Sequence, residues 1–308
     1  SRIKFICIVH MIKLPESVSF EDLLTSLREI NRDSINLLTR FNENANARSD
    51  FEANLNIKNL KSGPVTQLDL DLNTLILEKL SNDFQKANWK FLSEESFKIK
   101  KFYEDLNHEW VWIIDPLDGT TDLINRTGEY AIHIALTYEK KPILGAVIIP
   151  SKKEFWLSVD NIGTWLETTS GKQKILQTKD NKDISQLTYV ASRTHRSNDF
   201  DKLLKHLSPY KLIGMGSVGF KVTSILRGDA DVYISYSFKE KSSPKDWDFA
   251  APEILMRGAG GFITNIKGEN ITFLCNEKFE QQEIIVASKN VNHKFICDKI
   301  ASFIKSIN

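Results

Sequence analysis

Behind Ser19 and the acidic pair Glu21-Asp22, apolar residues recur at helical spacing as Phe20, Leu23, Leu24, Leu27 and Ile30. That pattern predicts a long amphipathic helix with a capped, acid-enriched start. The polar stretch 42–65 reads as a loop closing on Gly63-Pro64-Val65-Thr66, after which Leu68, Leu72, Leu75, Ile76 and Leu80 mark a second helix. Thr66 is its expected cap, and Asp69 falls in its first turn. The pattern then turns strand-like. Lys90-Phe91-Leu92 delivers Glu94-Glu95 at its end, and further strands are expected at 110–114, 130–138, 143–149 and 155–159, punctuated by Pro142 and Pro150. Their hairpin-like spacing predicts a largely antiparallel sheet. From residue 187 short strands (187–191, 211–213, 231–236, 260–264, 283–287) alternate with helices at 198–206, 217–227, 247–257 and the C-terminal end. The expected class is therefore α/β (α+β), with an α+β unit over 11–186 and an α/β unit over 187–308.

Composition narrows the function classes. Lys and Arg total 41 against 40 Asp and Glu, a net charge of +1, which gives no global attraction to a nucleic acid polymer or a membrane. Any anion recognition must be local. Cys7, Cys275 and Cys297 are odd in number, far apart and in no CxxC spacing, so neither a disulfide framework nor a thiolate zinc site is indicated and a reducing cytoplasm is expected. The apolar run from Ile3 to Val9 is interrupted by Lys4 and is too short to span a bilayer. Residues 1–10 are read as an N-terminal extension outside the fold.

The chemistry concentrates in Asp115-Pro116-Leu117-Asp118-Gly119-Thr120, where an apolar strand runs into two carboxylates three apart, followed by a Gly and a Thr. Hard oxygen ligands beside backbone N–H groups suit a divalent cation and a phosphate together. Glu94, Asp248 and Asp69 also stand at strand ends or helix starts. Converging acids repel one another, so gathering them calls for cations, and an all-oxygen set without His or Cys selects Mg²⁺ or Mn²⁺. In phosphate-ester cleavage by water, Asp115 would bridge two ions, with the Leu117 carbonyl, Asp118 and Asp248 completing their shells and Glu94 holding the first ion and its water. Thr120, paired with Asp69, would orient that water and accept its proton in relay. The N–H groups of Gly119 and Thr120 would hold phosphate oxygens.

Glu94-Glu95, the 115–120 motif and Trp247-Asp248-Phe249-Ala250-Ala251 with Ala259-Gly260-Gly261 behind it resemble the inositol monophosphatase superfamily of Mg²⁺-dependent, lithium-sensitive phosphatases, over nearly the whole chain from about residue 20. The resemblance implies a layered α/β/α/β/α sandwich, metal ligands at Glu94, Asp115, Leu117, Asp118 and Asp248 for two or three ions, and a water-activating pair at Asp69 and Thr120. Within that superfamily the chain is similar to CysQ-type 3'(2'),5'-bisphosphate nucleotidases through 127–136 with 141–145, through 192–195, and through 216–221 with 245–253. That likeness implies removal of the 3'-phosphate of 3'-phosphoadenosine 5'-phosphate, a by-product of sulfate activation and sulfotransfer. It also implies AMP contacts from Ser192, His195, Ser217, Gly219 and Lys221, with Asp248 beside the substrate, in a monomer or homodimer. Ser192, Arg193 and His195 follow a strand end and Gly216-Ser217 opens a helix, which suits a second, unreacting phosphate; the bland reading makes Ser217 a helix cap and Lys221 a solvated lysine.

Two positions depart from the nucleotidase pattern: Thr121 replaces the usual Lys, and Gly258 replaces an acidic residue before the Ala-Gly-Gly turn. Thr121 looks more like inositol monophosphatases, so an inositol monophosphatase or sugar bisphosphatase is the alternative within hydrolases. An aspartyl-phosphate mechanism is disfavoured because the position two before Asp118 is Pro116. A non-catalytic nucleotide or metal sensor would have no need of Asp69, Glu94 and Thr120. His133 and His108 are expected to be structural or surface residues, and Trp112, Tyr130 and Trp247 core.

Overall fold

The first apolar stripe folds as α1 (Phe20–Glu43), and the second as α2 (Gln67–Asp83), capped by the Thr66 side chain, which accepts from the Asp69 N–H. In the computed structural model the described residues are 12–43, 56–60, 63–100, 106–193, 197–238, 240 and 243–307. The expected extension 1–10, with Cys7, and His195 lie outside them. Leu23, Leu27 and Ile30 of α1 and Leu68, Leu72, Ile76 and Leu80 of α2 are fully buried on one face of a large sheet.

That sheet is built from β3 (Lys90–Ser93), β4 (Trp110–Asp118), β5 (Ala131–Tyr138), β6 (Lys141–Ile149), β7 (Glu154–Val159), β8 (Gly163–Thr168) and β9 (Gly171–Lys174), in that spatial order. All pairs are antiparallel except β3 with β4. Both faces are covered, so β4 is apolar from Trp110 to Ile114: Trp112 and Ile114 meet the α1/α2 layer, while Val111 and Ile113 enter the core on the other side. A second sheet has the order β11-β10-β12-β14-β13, formed by β10 (Thr188–Ser192), β11 (Lys211–Met215), β12 (Val232–Tyr236), β13 (Phe262–Asn265) and β14 (Ile284–Ser288).

Between the sheets lie α6 (Val218–Arg227) and α7 (Asp246–Gly258), whose Phe220, Val222, Phe249, Ala250 and Ile254 share one core with both. On the far face of the smaller sheet, α5 (Asn198–Leu207) and α8 (His293–Ser306) bury Phe200, Leu203, Ile296 and Ile300. The result is the expected α/β/α/β/α sandwich. Two short helices, α3 (Glu94–Lys100) and α4 (Thr120–Ile124), complete the region around the carboxylates. Residue 187 falls just before β10, although α6 and α7 from the C-terminal half pack against both sheets.

Five strands differ from the pattern-based expectation. The stretch read as a loop over 42–65 contains a hairpin, β1 (Lys58–Leu60) with β2 (Gly63–Val65), whose polar residues carry no alternation. Strands β8 and β9 were not expected, and all four residues of β9 are exposed, so the edge strand leaves no apolar signal. Strand β4 does not stop at Ile114 but continues to Asp118, with an irregularity between Asp115 and Asp118. Among the described residues Cys275 and Cys297 are free thiols, and no helix is long and apolar enough to cross a membrane.

Candidate active site

The irregular end of β4 sets the geometry. Asp115 pairs with His133 and Asp118 with Ala131, so the register slips across Pro116-Leu117, where Pro lacks the N–H that a regular ladder would use. Asp115 Oδ1 accepts from the Leu117 N–H at 3.0 Å. Asp118 Oδ2 accepts from the N–H groups of Val218 (2.5 Å) and Gly219 (3.3 Å) at the start of α6. Asp248 stands in the first turn of α7, with Oδ2 accepting from the Lys245 N–H at 2.6 Å. Asp115, Asp118 and Asp248 each direct a carboxylate oxygen to one point, the three lying within 4.8 Å of one another.

Such a group is costly without a cation. Burial first, then repulsion from Glu94, Asp118 and Asp248, hold the Asp115 carboxyl well above the usual carboxylate range. Burial, then Asp118 and Glu94, do the same to Asp248. A divalent ion would remove both penalties, and an oxygen-only donor set fits Mg²⁺ or Mn²⁺. Glu94, the first residue of α3, is in hydrogen-bonding contact with Asp115 and forms an ion pair with Lys98. Leu117 is buried, and its carbonyl lies 3.3 Å from the Thr120 hydroxyl oxygen.

Beside the carboxylates, the Thr120 Oγ1 donates to Asp69 Oδ1 at 2.8 Å. The other Asp69 oxygen is held by the N–H (2.9 Å) and the hydroxyl of Thr66. Burial is the largest influence on Asp69 and raises its pKa, outweighing these donors. Gly119, at φ +94°, turns the chain from β4 into α4, and a Cβ there would meet the Ser217 Cβ at 3.2 Å. The starts of α4 and α6 are thus in close contact.

The residues expected to bind nucleotide have more varied settings. Ser217 is buried and caps α6 by accepting from the Phe220 N–H at 3.0 Å. The Gly216 N–H donates to Glu129 Oε2 at 2.8 Å, so several donors at this helix start already serve Glu129, Asp118 and Ser217. Arg193 closes the same corner through Asp122 at 2.9 Å and through Glu129. Ser192 ends β10 and is half-buried. Lys221 is not solvated: it is 4% exposed, donates to the Gly216 carbonyl at 2.6 Å and lies 5.0 Å from the centre of the Tyr233 ring. Burial lowers its pKa to about 8, against the pull of Asp118, Asp122, Asp248 and Glu129.

His133 is the residue that pattern reading left out of the site. It is buried, its Nδ1 lies 3.2 Å from the Trp247 carbonyl, and its Nε2 lies 3.4 Å from Asp118 Oδ2. Gly219 makes room for it, since a Cβ there would fall 2.2 Å from His133 Nε2. Its place on a strand is readable from sequence; the register slip in β4 that brings it onto Asp118 is a matter of strand pairing. His108 is structural, bridging Trp110 and Asn88. Trp112, Tyr130 and Trp247 are buried core residues.

The inositol monophosphatase family profile matches residues 28–305. A 3'(2'),5'-bisphosphate nucleotidase CysQ from Aggregatibacter actinomycetemcomitans is 27% identical over 77% of this chain and 84% of its own length. An inositol monophosphatase 3 from Solanum lycopersicum is 26% identical over 79% and 84%. In fold, the chain is similar to an IMPase of Thermotoga maritima, with a TM-score of 0.71 at 18% identity, covering 93% of this chain and all (100%) of that one.

Proposed function

The chain belongs to the inositol monophosphatase family of phosphatases, and on that premise we propose that it is an Mg²⁺-dependent 3'(2'),5'-bisphosphate nucleotidase that hydrolyses the 3'-phosphate of 3'-phosphoadenosine 5'-phosphate. The observation that carries the hydrolytic part is the convergence of Asp115, Asp118 and Asp248 next to the Thr120–Asp69 hydrogen bond. Asp115, Asp118 and Asp248, with Glu94 and the Leu117 carbonyl, would hold the metal ions. Bound there, Mg²⁺ or Mn²⁺ supplies Lewis acidity toward phosphoryl oxygens and acidifies water.

The remaining work falls to the protein. Because the Thr120 hydroxyl donates to Asp69, its oxygen lone pairs are left to accept from the attacking water. As that water loses its proton to Thr120, the Thr120 proton passes to Asp69, whose buried carboxyl has a raised proton affinity. The Thr66 donors fix Asp69 in orientation for this relay. The N–H groups of Gly119 and Thr120 are the proposed donors to the scissile phosphate.

The nucleotide part rests on the CysQ relatives and on the stretches at 192–195, 216–221 and 245–253. Thr121 and the tomato relative favour inositol monophosphate as the second reading. The substrate is a small phosphate ester in either case. Phosphate release from 3'-phosphoadenosine 5'-phosphate, inositol 1-phosphate and fructose 1,6-bisphosphate, with Mg²⁺ and with or without Li⁺, tests the proposal. The expected result is highest kcat/KM on the bisphosphate nucleotide and inhibition by Li⁺; preference for either sugar-type ester would transfer the protein to the second reading, and no release from any would favour a binding role.

A further inference from the structure

On α3, Lys98 follows Glu94 by four residues and Glu95 by three, a spacing that puts all three side chains on one helix face. Its Nζ is 2.9 Å from Glu94 Oε1 and 2.9 Å from Glu95 Oε1, and its side chain is only 8% exposed. An exposed pair of this kind would contribute little. Here the ammonium is enclosed beside the carboxylate cluster. Glu94 is in contact with Asp115, the charge of Lys98 reaches Asp248, and Glu95 is 1% exposed with its Oε2 lacking a hydrogen-bond partner.

A lysine in this position has a direct consequence for metal stoichiometry. Glu94 and Glu95 could together attract a divalent ion of their own, adjacent to the point on which Asp115, Asp118 and Asp248 converge. The Lys98 ammonium already occupies the side of Glu94 that faces Glu95, and a doubly charged ion entering there would meet it at close range in a poorly solvated setting, where charge repulsion is strong. Glu94 has a second carboxylate oxygen, and it also contacts Asp115.

We propose that Lys98 is a resident counterion that takes the place of an additional metal at Glu94 and Glu95, limiting the centre to two divalent cations. This inference rests on the reading of Asp115, Asp118 and Asp248 as a metal centre.

Calorimetric titration of Mn²⁺ into the full chain tests it, using the wild type, Lys98→Arg, Lys98→Met and Lys98→Gln. Lys98→Arg keeps the charge, and Lys98→Gln keeps a hydrogen-bond donor without it. The expected counts are two Mn²⁺ in the wild type and Lys98→Arg, and three in Lys98→Met and Lys98→Gln. In EDTA the two neutral variants should also melt below the wild type and recover the difference in Mn²⁺. If Lys98→Met does not fold, the wild-type count and the Lys98→Gln count decide. Three ions in the wild type, or two in a folded neutral variant, would overturn the proposal. A wild type that binds no Mn²⁺ would instead overturn the metal-centre reading beneath it.

Discussion

The Thr120 hydroxyl donates to Asp69 Oδ1 at 2.8 Å, joining the first turns of two helices across 51 residues of sequence. Neither residue is needed to complete the Asp115–Asp118–Asp248 group, so the pair can be removed without removing that group. Thr120→Val should lower kcat by about 10²–10⁴-fold, the range of a lost acid–base group, while leaving Mn²⁺ binding intact by calorimetry. Loss of Mn²⁺ binding together with activity would assign the pair to assembly of the centre instead.

Gly219 and His133 form a second close pair. An added methyl at Gly219 would fall 2.2 Å from His133 Nε2 and 2.9 Å from the Ala131 Cβ, in a core with little room to yield. Gly219→Ala should therefore destabilise the protein by about 1–3 kcal/mol in urea unfolding. His133→Ala opens the space, so the double variant should be more stable than the sum of the single effects predicts. Additive losses, accompanied by a raised KM for nucleotide, would instead favour a direct substrate contact by Gly219.

His293 gives a pH dependence far from the reaction. It is buried between the hydroxyls of Thr264 (2.8 Å from Nε2) and Ser288 (2.8 Å from Nδ1), with the Phe262 ring stacked on it and Cys297 at 3.6 Å. Burial, and then Lys179, lower its pKa from the ordinary 6.5 to about 4. Above pH 6.5 the ring is neutral in both folded and unfolded chains, and its contribution is complete. As pH falls from 6.5 toward 4 the unfolded chain binds a proton that the folded chain does not, so stability drops, by about 2 kcal/mol between pH 7.5 and 5. Denaturant unfolding at the two pH values should show this drop in the wild type and a smaller one in His293→Gln; identical drops in both would contradict the assignment.

How much of this was readable from sequence differed by the kind of contact. Asp115 and Asp118 stand out because an apolar strand ends in acids within a few residues, and Asp69, Glu94 and Asp248 because each lies in the first turn of a helix. Strand β9 was invisible because an exposed edge needs no apolar residues. The alternative reading of Lys221 as a solvated lysine fails because α6 lies between two sheets and buries Gly219 through Leu226 without a break, so even a lysine there is enclosed. The contact of His133 with Asp118 depends on a register slip in β4 that Pro116 marks in the sequence, but which residue of β5 the slip brings onto Asp118 is set by strand pairing. Gly258 departs from the family pattern for a packing reason, since a Cβ would fall 2.3 Å from Ser158 Oγ and 2.5 Å from Thr164 Oγ1.

Asp115 organises the proposed metal-dependent hydrolytic centre, so Asp115→Asn should disable it. The substitution removes a carboxylate charge while keeping an oxygen to accept from the Leu117 N–H, so the fold should persist by circular dichroism. Phosphate release from 3'-phosphoadenosine 5'-phosphate in Mg²⁺ should fall by about 10³-fold or more, as expected for several kcal/mol of lost transition-state stabilisation. Near-normal turnover by a folded Asp115→Asn protein would rule out a hydrolytic centre built on Asp115.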